Sequence, residues 1–186
     1  MTSSEYFEQL YGESDDPWQL AERDYEHRKF ELTVASLPRR RYHRAFEPAC
    51  SIGVLTALLS ARCDELVASD PVERAVEQTR LRVPGEGTTV LRGSMPDDWP
   101  DGRFDLVVLS EFLYYLSGPQ RLQVRACVER SLAPDGHLVL VHWRHPFEIA
   151  TCTGDTAHAE MRGVAGTTTL VEHVERDFRL EVLGRG

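Results

Sequence analysis

A strand-to-helix turn near residue 50 constrains the fold of this 186-residue chain more than any other feature. Phe46 leads into the acidic Glu47, small residues follow as far as Gly53, and apolar residues then recur at helical spacing from Val54 onward. A strand, a tight turn and a helix form the first βα unit of an open α/β sheet, in which ligands bind beyond the strand ends. The stretch therefore predicts a ligand site, with an ordinary connecting turn as the alternative.

A second acidic residue ends the next predicted strand. Asp70 follows the apolar run 66–69 and lies 23 positions after Glu47. A carboxylate in this place can accept hydrogen bonds from both hydroxyl groups of a ribose. Together the two acids predict a site for an adenosyl ligand.

The glycine content of the first turn distinguishes between adenosyl ligands. A dinucleotide site requires G-x-G-x-x-G, because the backbone and a helix N-terminus must approach a pyrophosphate. In this turn only Gly53 is a glycine, and Glu47 would repel a pyrophosphate. The same carboxylate suits a cationic ligand that carries no phosphate. We therefore expect S-adenosylmethionine, which has a sulfonium and an ammonium group, as the cofactor.

Composition narrows the class of protein. The length suits one domain, residues 1–186, and is too short for two substantial ones. A net charge of −9 argues against a general nucleic-acid binder, which would show a basic surface. No apolar run approaches a membrane span, and residues 1–8 are too polar for a signal peptide. A cytoplasmic protein without nucleic-acid or membrane partners is predicted.

The four cysteines predict no metal site. Cys50, Cys63, Cys127 and Cys152 lack the C-x-x-C spacing that zinc sites use. Free thiols, buried in a protein of a reducing compartment, are the expected state.

Residues 1–42 are predicted to form a helical lid or cap. A helix is expected to begin with Asp16 as its N-cap and Pro17 as its first residue, and to end near residue 36. Its apolar face could dock on the sheet or could cover the cofactor, and the two alternatives are compatible. The residues that a lid would use are Trp18, Tyr25 and Arg28, the last of which could pair with a ligand carboxylate.

Strand and helix patterns alternate along the rest of the chain, as is typical of a doubly wound sheet. Residues 104–109 form the unbroken apolar run expected at the centre of a parallel sheet. Residues 144–166 are polar and predict an insertion, in which His145 and His158 are expected to be surface residues. The last two strand patterns, 167–174 and 178–183, are close enough to form an antiparallel hairpin.

Short runs between about residues 11 and 183 carry a resemblance to a known family. The most specific runs are C-S-I-G-V-L-T at 50–56 and S-E-F-L-Y-Y-L at 110–116, supported by H-W-R at 142–144 and T-G-D at 153–155. In these runs the chain resembles the NodS (nodulation protein S) family of class I S-adenosylmethionine-dependent methyltransferases. The resemblance implies a Rossmann-like fold, with a seven-stranded, mostly parallel sheet, a C-terminal antiparallel hairpin and helices on both faces.

The family's functional residues can be carried over position by position. They imply that Glu47 lines the methionine end of the cofactor, that Asp70 holds its ribose and that Glu111 lies beside its sulfonium. The implied cofactor-binding residues are Trp18, Tyr25, Arg28, Glu47, Ala49, Cys50, Ser51, Gly53, Asp70, Pro71, Gly93, Ser94, Met95, Ser110 and Glu111. The implied acceptor-binding residues are Tyr114, Tyr115, His142 and Arg144, and the implied catalytic residues are Glu111, His142 and Tyr115.

One position departs from the glycine string E-x-G-x-G-x-G of class I methyltransferases. Ala49 and Ser51 occupy the first two glycine positions. If position 49 requires a positive φ, its alanine is disfavoured by roughly 1 kcal/mol or more.

The resemblance implies methyl transfer to an amine, which in NodS is the free terminal amine of a deacetylated chitooligosaccharide. Simple acid–base chemistry also favours nitrogen. An amine with a pKa near 8 is deprotonated at neutral pH for about 1.4 kcal/mol. An alcohol with a pKa close to that of water requires about 12 kcal/mol, and the sequence offers no evident metal cluster or base triad to supply it.

Several alternatives remain open on the sequence alone. Glu111 or His142 could accept the released proton, but Glu111 could instead cap a helix or stabilise an ammonium, and His142 could be a core histidine. The acceptor could be another natural product, methylated on nitrogen or oxygen. Outside this enzyme class, a nicotinamide-dependent oxidoreductase and a non-catalytic adenosyl-binding module are the competing hypotheses.

Overall fold

The computed structural model describes residues 3–186, so Met1 and Thr2, which open the predicted N-terminal segment, lie outside the described residues. Seven strands form one sheet in the order three, two, one, four, five, seven, six, counted along the chain. The strands are β1 (Tyr42–Pro48), β2 (Cys63–Asp70), β3 (Thr88–Arg92), β4 (Phe104–Ser110), β5 (Leu132–Trp143), β6 (Thr167–Val174) and β7 (Phe178–Arg185).

The sheet is parallel from β3 to β5 and ends in an antiparallel pair. β1 pairs in parallel with both β2 and β4, whereas β7 lies antiparallel between β5 and β6. The predicted mostly parallel sheet with a C-terminal antiparallel hairpin is therefore confirmed.

Helices cover both faces of the sheet because the central strands are apolar on both sides. In β4, Leu106 and Val108 pack against the first four helices, and Val107 and Leu109 pack against the last two. This alternation follows from the two-residue period of a strand, and it explains the unbroken apolar run. The helices are α1 (Ser3–Glu13), α2 (Asp24–Ala35), α3 (Val54–Ser60), α4 (Glu73–Arg82), α5 (Gly118–Ser131) and α6 (Gly154–Met161).

The helix predicted to begin at Pro17 begins instead at Asp24, so this prediction is wrong by about two turns. Asp16 does cap backbone amides, since its carboxylate accepts hydrogen bonds from the N–H groups of Leu20 and Ala21 at 2.8 and 2.9 Å. Those bonds close a turn rather than a helix, because Gln19 has a φ of 57°, which lies outside the right-handed helical region.

The segment 144–166 contains a helix that belongs to the core. In and after α6, Ala157, Met161 and Val164 are buried against β5 and α5. The prediction that His158 is a surface residue is wrong, because its side chain is fully buried. In the sequence, the many polar residues of this segment hide the short row of apolar residues that packs into the core.

Candidate functional site

The site lies where the strand order reverses. The connection after β1 runs to β2 on one side, and the connection after β4 runs to β5 on the other, so a crevice opens between their carboxyl ends. Ligands of open α/β sheets bind at this kind of switch point. Glu47 stands near the end of β1, Asp70 ends β2, Ser110 ends β4 and Glu111 follows it.

The loop after β1 is held in an unusual backbone conformation. Ala49, Ser51 and Gly53 have φ values of 55°, 51° and 78°. A Cβ atom at Gly53 would lie 2.8 Å from a side-chain carbon of Thr79, so glycine is required there by both φ and space. The condition stated for position 49 is thus met, and its alanine carries roughly 1–2 kcal/mol of strain. Such strain is typical of loops that serve a ligand.

We expect Ala49→Gly to stabilise the protein by about 0.5–1 kcal/mol. Relief of the left-handed strain outweighs the entropy that glycine adds to the unfolded chain, which is about 0.4–1 kcal/mol. Urea unfolding measures the difference. Ala61→Gly is the matched control, because Ala61 has a φ of −68° and has no such strain to release. Equal destabilisation of both variants would contradict the prediction.

Glu47 is a buried carboxylate that is only partly satisfied. Its side chain is 2% exposed, and among the described residues its Oε2 atom has no hydrogen-bond partner. Burial raises the pKa of Glu47 to about 8, although the neighbouring Thr56 hydroxyl opposes the shift. An orphaned buried acid at a strand end suits a cationic ligand, whose charge would supply the missing partner.

Asp70 joins the two loops of the crevice. Its Oδ2 accepts a hydrogen bond from the Ser51 N–H at 2.9 Å, and its Oδ1 accepts one from the Val72 N–H at 3.0 Å. Burial raises the pKa of Asp70 to about 6, and both backbone donors oppose this shift. Each oxygen retains a lone pair, so the carboxylate can still accept further donors.

The loop after β3 lies beside Asp70. The N–H of Gly93 donates to the Asp70 carbonyl at 3.0 Å, and the N–H of Ser94 donates to Asp98 Oδ2 at 2.8 Å. A Cβ at Gly93 would lie 2.9 Å from Asp98 Cβ, so the loop is tightly packed at this glycine. Among the predicted neighbours, Cys50 and Ser110 are buried, Pro71 and Met95 are half-buried, and Ser94 is exposed.

Helix α1 packs onto the crevice and contributes a residue that the sequence reasoning missed. The hydroxyl of Tyr11, a residue only 2% exposed, lies 2.6 Å from Ser51 Oγ. Phe7 contacts the ring of Tyr115 edge-on at 4.9 Å. Tyr11 could have been identified because it shares the apolar face of this helix with Phe7.

Glu111 is the most heavily bonded acid of the site. It has a φ of 57°, and its Oε1 accepts from the Lys29 ammonium at 2.6 Å. Its Oε2 accepts from the Trp143 N–H at 2.8 Å and from the Tyr114 hydroxyl. Burial is the main cause that raises the pKa of Tyr114 well above its usual range, so this hydroxyl remains a donor. Three donors, one of which is the Lys29 cation, hold the Glu111 carboxylate in a fixed position.

Lys29 is a second residue that the sequence reasoning missed. Its side chain is 2% exposed, and its ammonium lies 2.7 Å from Glu26 Oε2 as well as against Glu111. Burial by itself lowers the pKa of Lys29, but Glu111 and Glu26 together raise it above its usual value. The sequence does hold a signal for Lys29, because it lies four residues after Tyr25 and therefore on the same face of α2.

The remaining predicted residues are already engaged within the protein. Arg28 is exposed and makes a two-pronged ion pair with Glu175 at 2.6 and 2.8 Å, and Arg144 pairs with Asp155 at 3.0 Å. Trp18 packs against Phe7 and Tyr11, and Tyr25 packs against Trp143 and Phe178, so both rings dock on the core.

His142 does not face an open site. Its side chain is fully buried, and its Nε2 accepts a hydrogen bond from the Leu113 N–H at 3.3 Å. Burial lowers its pKa well below the usual range, which keeps the ring neutral. Of the two tyrosines, Tyr114 is buried beside His142, whereas Tyr115 is half-buried between Phe7 and Phe147. The structure thus brings Glu111 and the tyrosines together and sets His142 behind them.

Two absences concern the described part of the chain. Among residues 3–186, no group of three or more His, Cys, Asp or Glu side chains is arranged to hold a metal ion. None of the helices in the same residues combines the length and the apolar character needed to cross a membrane.

Known proteins share both the sequence and the fold. The family model for Nodulation protein S (NodS) matches residues 7–176. Nodulation protein S of Rhizobium tropici is 32% identical over 130 residues, which cover 68% of this chain and 54% of that protein. The protein of the same name from Bradyrhizobium diazoefficiens is 31% identical over 156 residues, which cover 78% and 70%. The chain therefore spans little more than half the length of the first of these relatives.

Solved structures, including the two that follow, also match the fold. One, of a protein from Pseudomonas syringae, shares 38% identity and has a TM-score of 0.78 over 88% of this chain and 100% of that one. The other is the N-methyltransferase NodS from Bradyrhizobium japonicum WM9 in complex with S-adenosyl-L-homocysteine, with 22% identity and a TM-score of 0.85 over 100% and 99% of the two chains. With the family model matching nearly its whole length, this chain belongs to the NodS family.

Proposed function

We propose that this protein is an S-adenosylmethionine-dependent N-methyltransferase that acts on the free amine of a small molecule, such as a deacetylated chitooligosaccharide or another amino sugar. The observation that carries the proposal is the buried Glu47 carboxylate, whose Oε2 has no partner among the described residues, at the switch point of the sheet. Membership of the NodS family, in which one solved N-methyltransferase binds S-adenosyl-L-homocysteine, supports it.

The residues of the crevice fit this cofactor. Glu47 accepts from the ammonium of the methionine end, and Asp70 accepts from the ribose hydroxyls. The surrounding loops border the rest of the cofactor, with the adenine near Met95 and the sulfonium near Ser110. The remaining residues assigned to cofactor binding are Trp18, Tyr25, Ala49, Cys50, Ser51, Gly53, Pro71, Gly93, Ser94 and Glu111. Arg28 can pair with the carboxylate of the cofactor only when its ion pair with Glu175 is broken.

Alignment is the main task of the site. When bound, S-adenosylmethionine supplies a methyl group that its sulfonium already activates, and good alignment can contribute about 7–11 kcal/mol. The Glu111 carboxylate is held in place by Lys29, Tyr114 and the Trp143 N–H. Its assigned role is to stabilise positive charge on the sulfonium and the amine.

The acceptor side is aromatic. The rings of Tyr114 and Tyr115 contact each other at 4.9 Å, and both contact Phe147. Aromatic faces next to an anion favour a cationic or cation-forming group such as an amine. A neutral amine nitrogen would form a bond to the methyl carbon as the bond from that carbon to sulfur breaks, which would leave S-adenosylhomocysteine, and the product ammonium would then lose its proton to solvent. His142 is not assigned as the proton acceptor, because both of its ring nitrogens form hydrogen bonds in the protein interior.

Binding and turnover can be tested separately. Calorimetric titration with S-adenosylhomocysteine and with NADH is expected to show binding of the first and none of the second. With S-adenosylmethionine and the fully deacetylated chitin disaccharide, mass spectrometry is expected to detect one added methyl group on nitrogen. N-acetylated disaccharide is the matched control and should remain unmethylated. If the protein bound NADH but not S-adenosylhomocysteine, the cofactor assignment would be wrong. If it methylated both sugars equally, the assignment of a free amine as the acceptor would be wrong.

We expect Asp70→Ala to weaken S-adenosylhomocysteine binding at least tenfold, because two ribose hydrogen bonds of about 1 kcal/mol each are lost. A ligand lacking the ribose 2′-hydroxyl separates this effect from damage to the Ser51 and Val72 amides. The variant should lose less affinity for the deoxy ligand than for the normal one, as measured by calorimetry. An equal loss for both ligands would show that Asp70 supports the loops only.

A further inference from the structure

Three fully buried polar side chains from three elements form a continuous row behind the site. His142 of β5 and His158 of α6 meet through Nδ1 and Nε2 at 3.1 Å. His158 Nδ1 then lies 2.6 Å from Glu181 Oε2 of β7. All three side chains are 0% exposed. Polar groups are costly to bury, so a row of three that ends in a charged group requires a reason beyond packing.

The two ends of this row dictate where its protons lie. At the inner end the Leu113 N–H can only donate, so His142 Nε2 must accept and Nδ1 must carry the ring proton. That proton makes His158 Nε2 an acceptor, so the His158 proton lies on Nδ1 and faces the Glu181 carboxylate, which can only accept. Both ends therefore select the same two tautomers, and two neutral rings satisfy every bond.

The outer end of the row is fixed by charge. Arg162 Nε donates to Glu181 Oε1 at 2.8 Å, and the guanidinium of Arg179 lies 3.5 Å from Oε2. Burial alone raises the pKa of Glu181, but His158 and Arg162 bring it below its usual value. Burial lowers the pKa of His158, while Glu181 opposes this shift. The row thus consists of one anion and two neutral rings.

The inner end of the row reaches the catalytic loop. Leu113 begins the 3₁₀ turn Leu113–Tyr115, and Tyr114 in this turn donates its hydroxyl to Glu111. The ring of Tyr114 also contacts the His142 ring edge-on at 5.3 Å. An apolar residue in place of His158 would leave the His142 Nδ1 proton without an acceptor and so remove one of the two contacts that select the His142 tautomer.

We propose that His158 and Glu181 are positioning residues of the methyltransferase site, because they hold His142 in the tautomer that accepts the Leu113 N–H and thereby fix the turn that directs Tyr114 at Glu111. The role in turnover rests on the proposed function, whereas the tautomers and the Leu113 hydrogen bond do not. None of the three side chains needs to touch a ligand. Their effect passes through the backbone of one turn.

A matched pair of variants tests the proposal. Glutamine at position 158 places an amide oxygen near the Nε2 position and can still accept from His142, whereas leucine of similar size cannot. We expect His158→Gln to retain the Nδ1–H tautomer of His142 by nitrogen NMR and slow hydrogen exchange at the Leu113 amide. His158→Leu should lose the single tautomer and exchange that amide at least tenfold faster. His145→Gln is the control for both readouts, because His145 is half-buried, lies outside the row and pairs with Asp177 instead.

Turnover supplies the second measurement. With S-adenosylmethionine and the deacetylated disaccharide, His158→Leu should lower kcat about tenfold or more, with the KM for the cofactor nearly unchanged, and His158→Gln should recover most of kcat. Equal kcat in the two folded variants would overturn the positioning role. An Nε2–H tautomer of His142 in the wild-type protein would overturn the proposal even if His158→Leu does not fold. If no amine is methylated by the wild-type protein, the proposed function fails, and the NMR result still decides the geometry.

Discussion

Glu47→Gln is expected to weaken S-adenosylhomocysteine binding about 10- to 100-fold at pH 8, because a charge-assisted hydrogen bond to the ammonium of the ligand contributes about 1.5–3 kcal/mol. The wild-type acid, with its pKa near 8, is largely protonated at pH 7. Binding must then ionise it, so close to one proton should be released per ligand bound at pH 7. Affinity should rise up to tenfold per pH unit until about pH 8.

Calorimetry in buffers of different ionisation enthalpy counts this proton. Asp70, with a pKa of about 6, is mostly ionised at pH 7 and contributes little to the release. Glu65→Gln is the matched control, because Glu65 is the third residue of the next strand, β2, and has a side chain that is 60% exposed. The control should keep both the affinity and the proton release. Unchanged affinity in Glu47→Gln would remove Glu47 from the cofactor site.

The same substitution should stabilise the ligand-free protein. In the folded state the pKa of Glu47 is raised from 4.5 to about 8, so between these values the folded chain holds a proton that the unfolded chain has lost. The free energy of unfolding of the wild type therefore falls as the pH rises through this window. Glutamine does not titrate, so the free energy of unfolding of the variant should exceed that of the wild type by an amount that grows with pH up to about pH 8. Above about pH 8 the difference should stay constant, and urea unfolding measures it. A difference that is constant with pH would contradict this account.

Lys29→Met should destabilise the protein by about 3–5 kcal/mol, because it leaves two carboxylates, Glu26 and Glu111, without their buried cation. Methionine keeps most of the length of the lysine side chain, being one atom shorter, so the loss of charge dominates. Adding Glu111→Gln to the variant should restore part of the stability, since one uncompensated anion is then removed. Urea unfolding at pH 7 measures all three proteins.

Arg28→Met is the control on the neighbouring position of the same helix. Arg28 is paired with Glu175 at the surface, with a side chain that is 55% exposed, so its loss should cost at most about 1 kcal/mol. Similar losses in the two variants, or no recovery in the double variant, would show that the buried lysine is not the electrostatic centre of the site.

The sheet could be predicted from the sequence because each strand carries a local signal. The apolar run of β4, the turn after β1 and the closely spaced pair β6 and β7 were identified in order, and the fold and the family are both confirmed. The beginning of α2 could not be predicted. Residues 16 and 17 resemble a helix start, and nothing in the sequence indicates that Gln19 adopts a left-handed φ.

The interior of the site was harder to predict because it depends on contacts between distant residues. Lysine is rarely buried unless it is paired, and Glu111, which pairs with Lys29, lies 82 positions away. His158 lies in a polar segment, and only its neighbours across the fold show that it is internal. Glu47 and Asp70, by contrast, stand at strand ends, where position alone indicates the crevice.

The place of β7 in the sheet links the folding of the sheet to the completion of the candidate site. This strand inserts between β5 and β6, although it follows both in the chain, so neither of its neighbours can complete its pairing before it arrives. Because β7 also carries Glu181, the row behind His142 is completed in the same step. The pairing of β5 with β7 is non-local, and non-local pairing forms more slowly than local contacts. Partly folded chains should therefore lack a competent Glu111 turn, and catalytic competence should appear only with the last cooperative stage of folding.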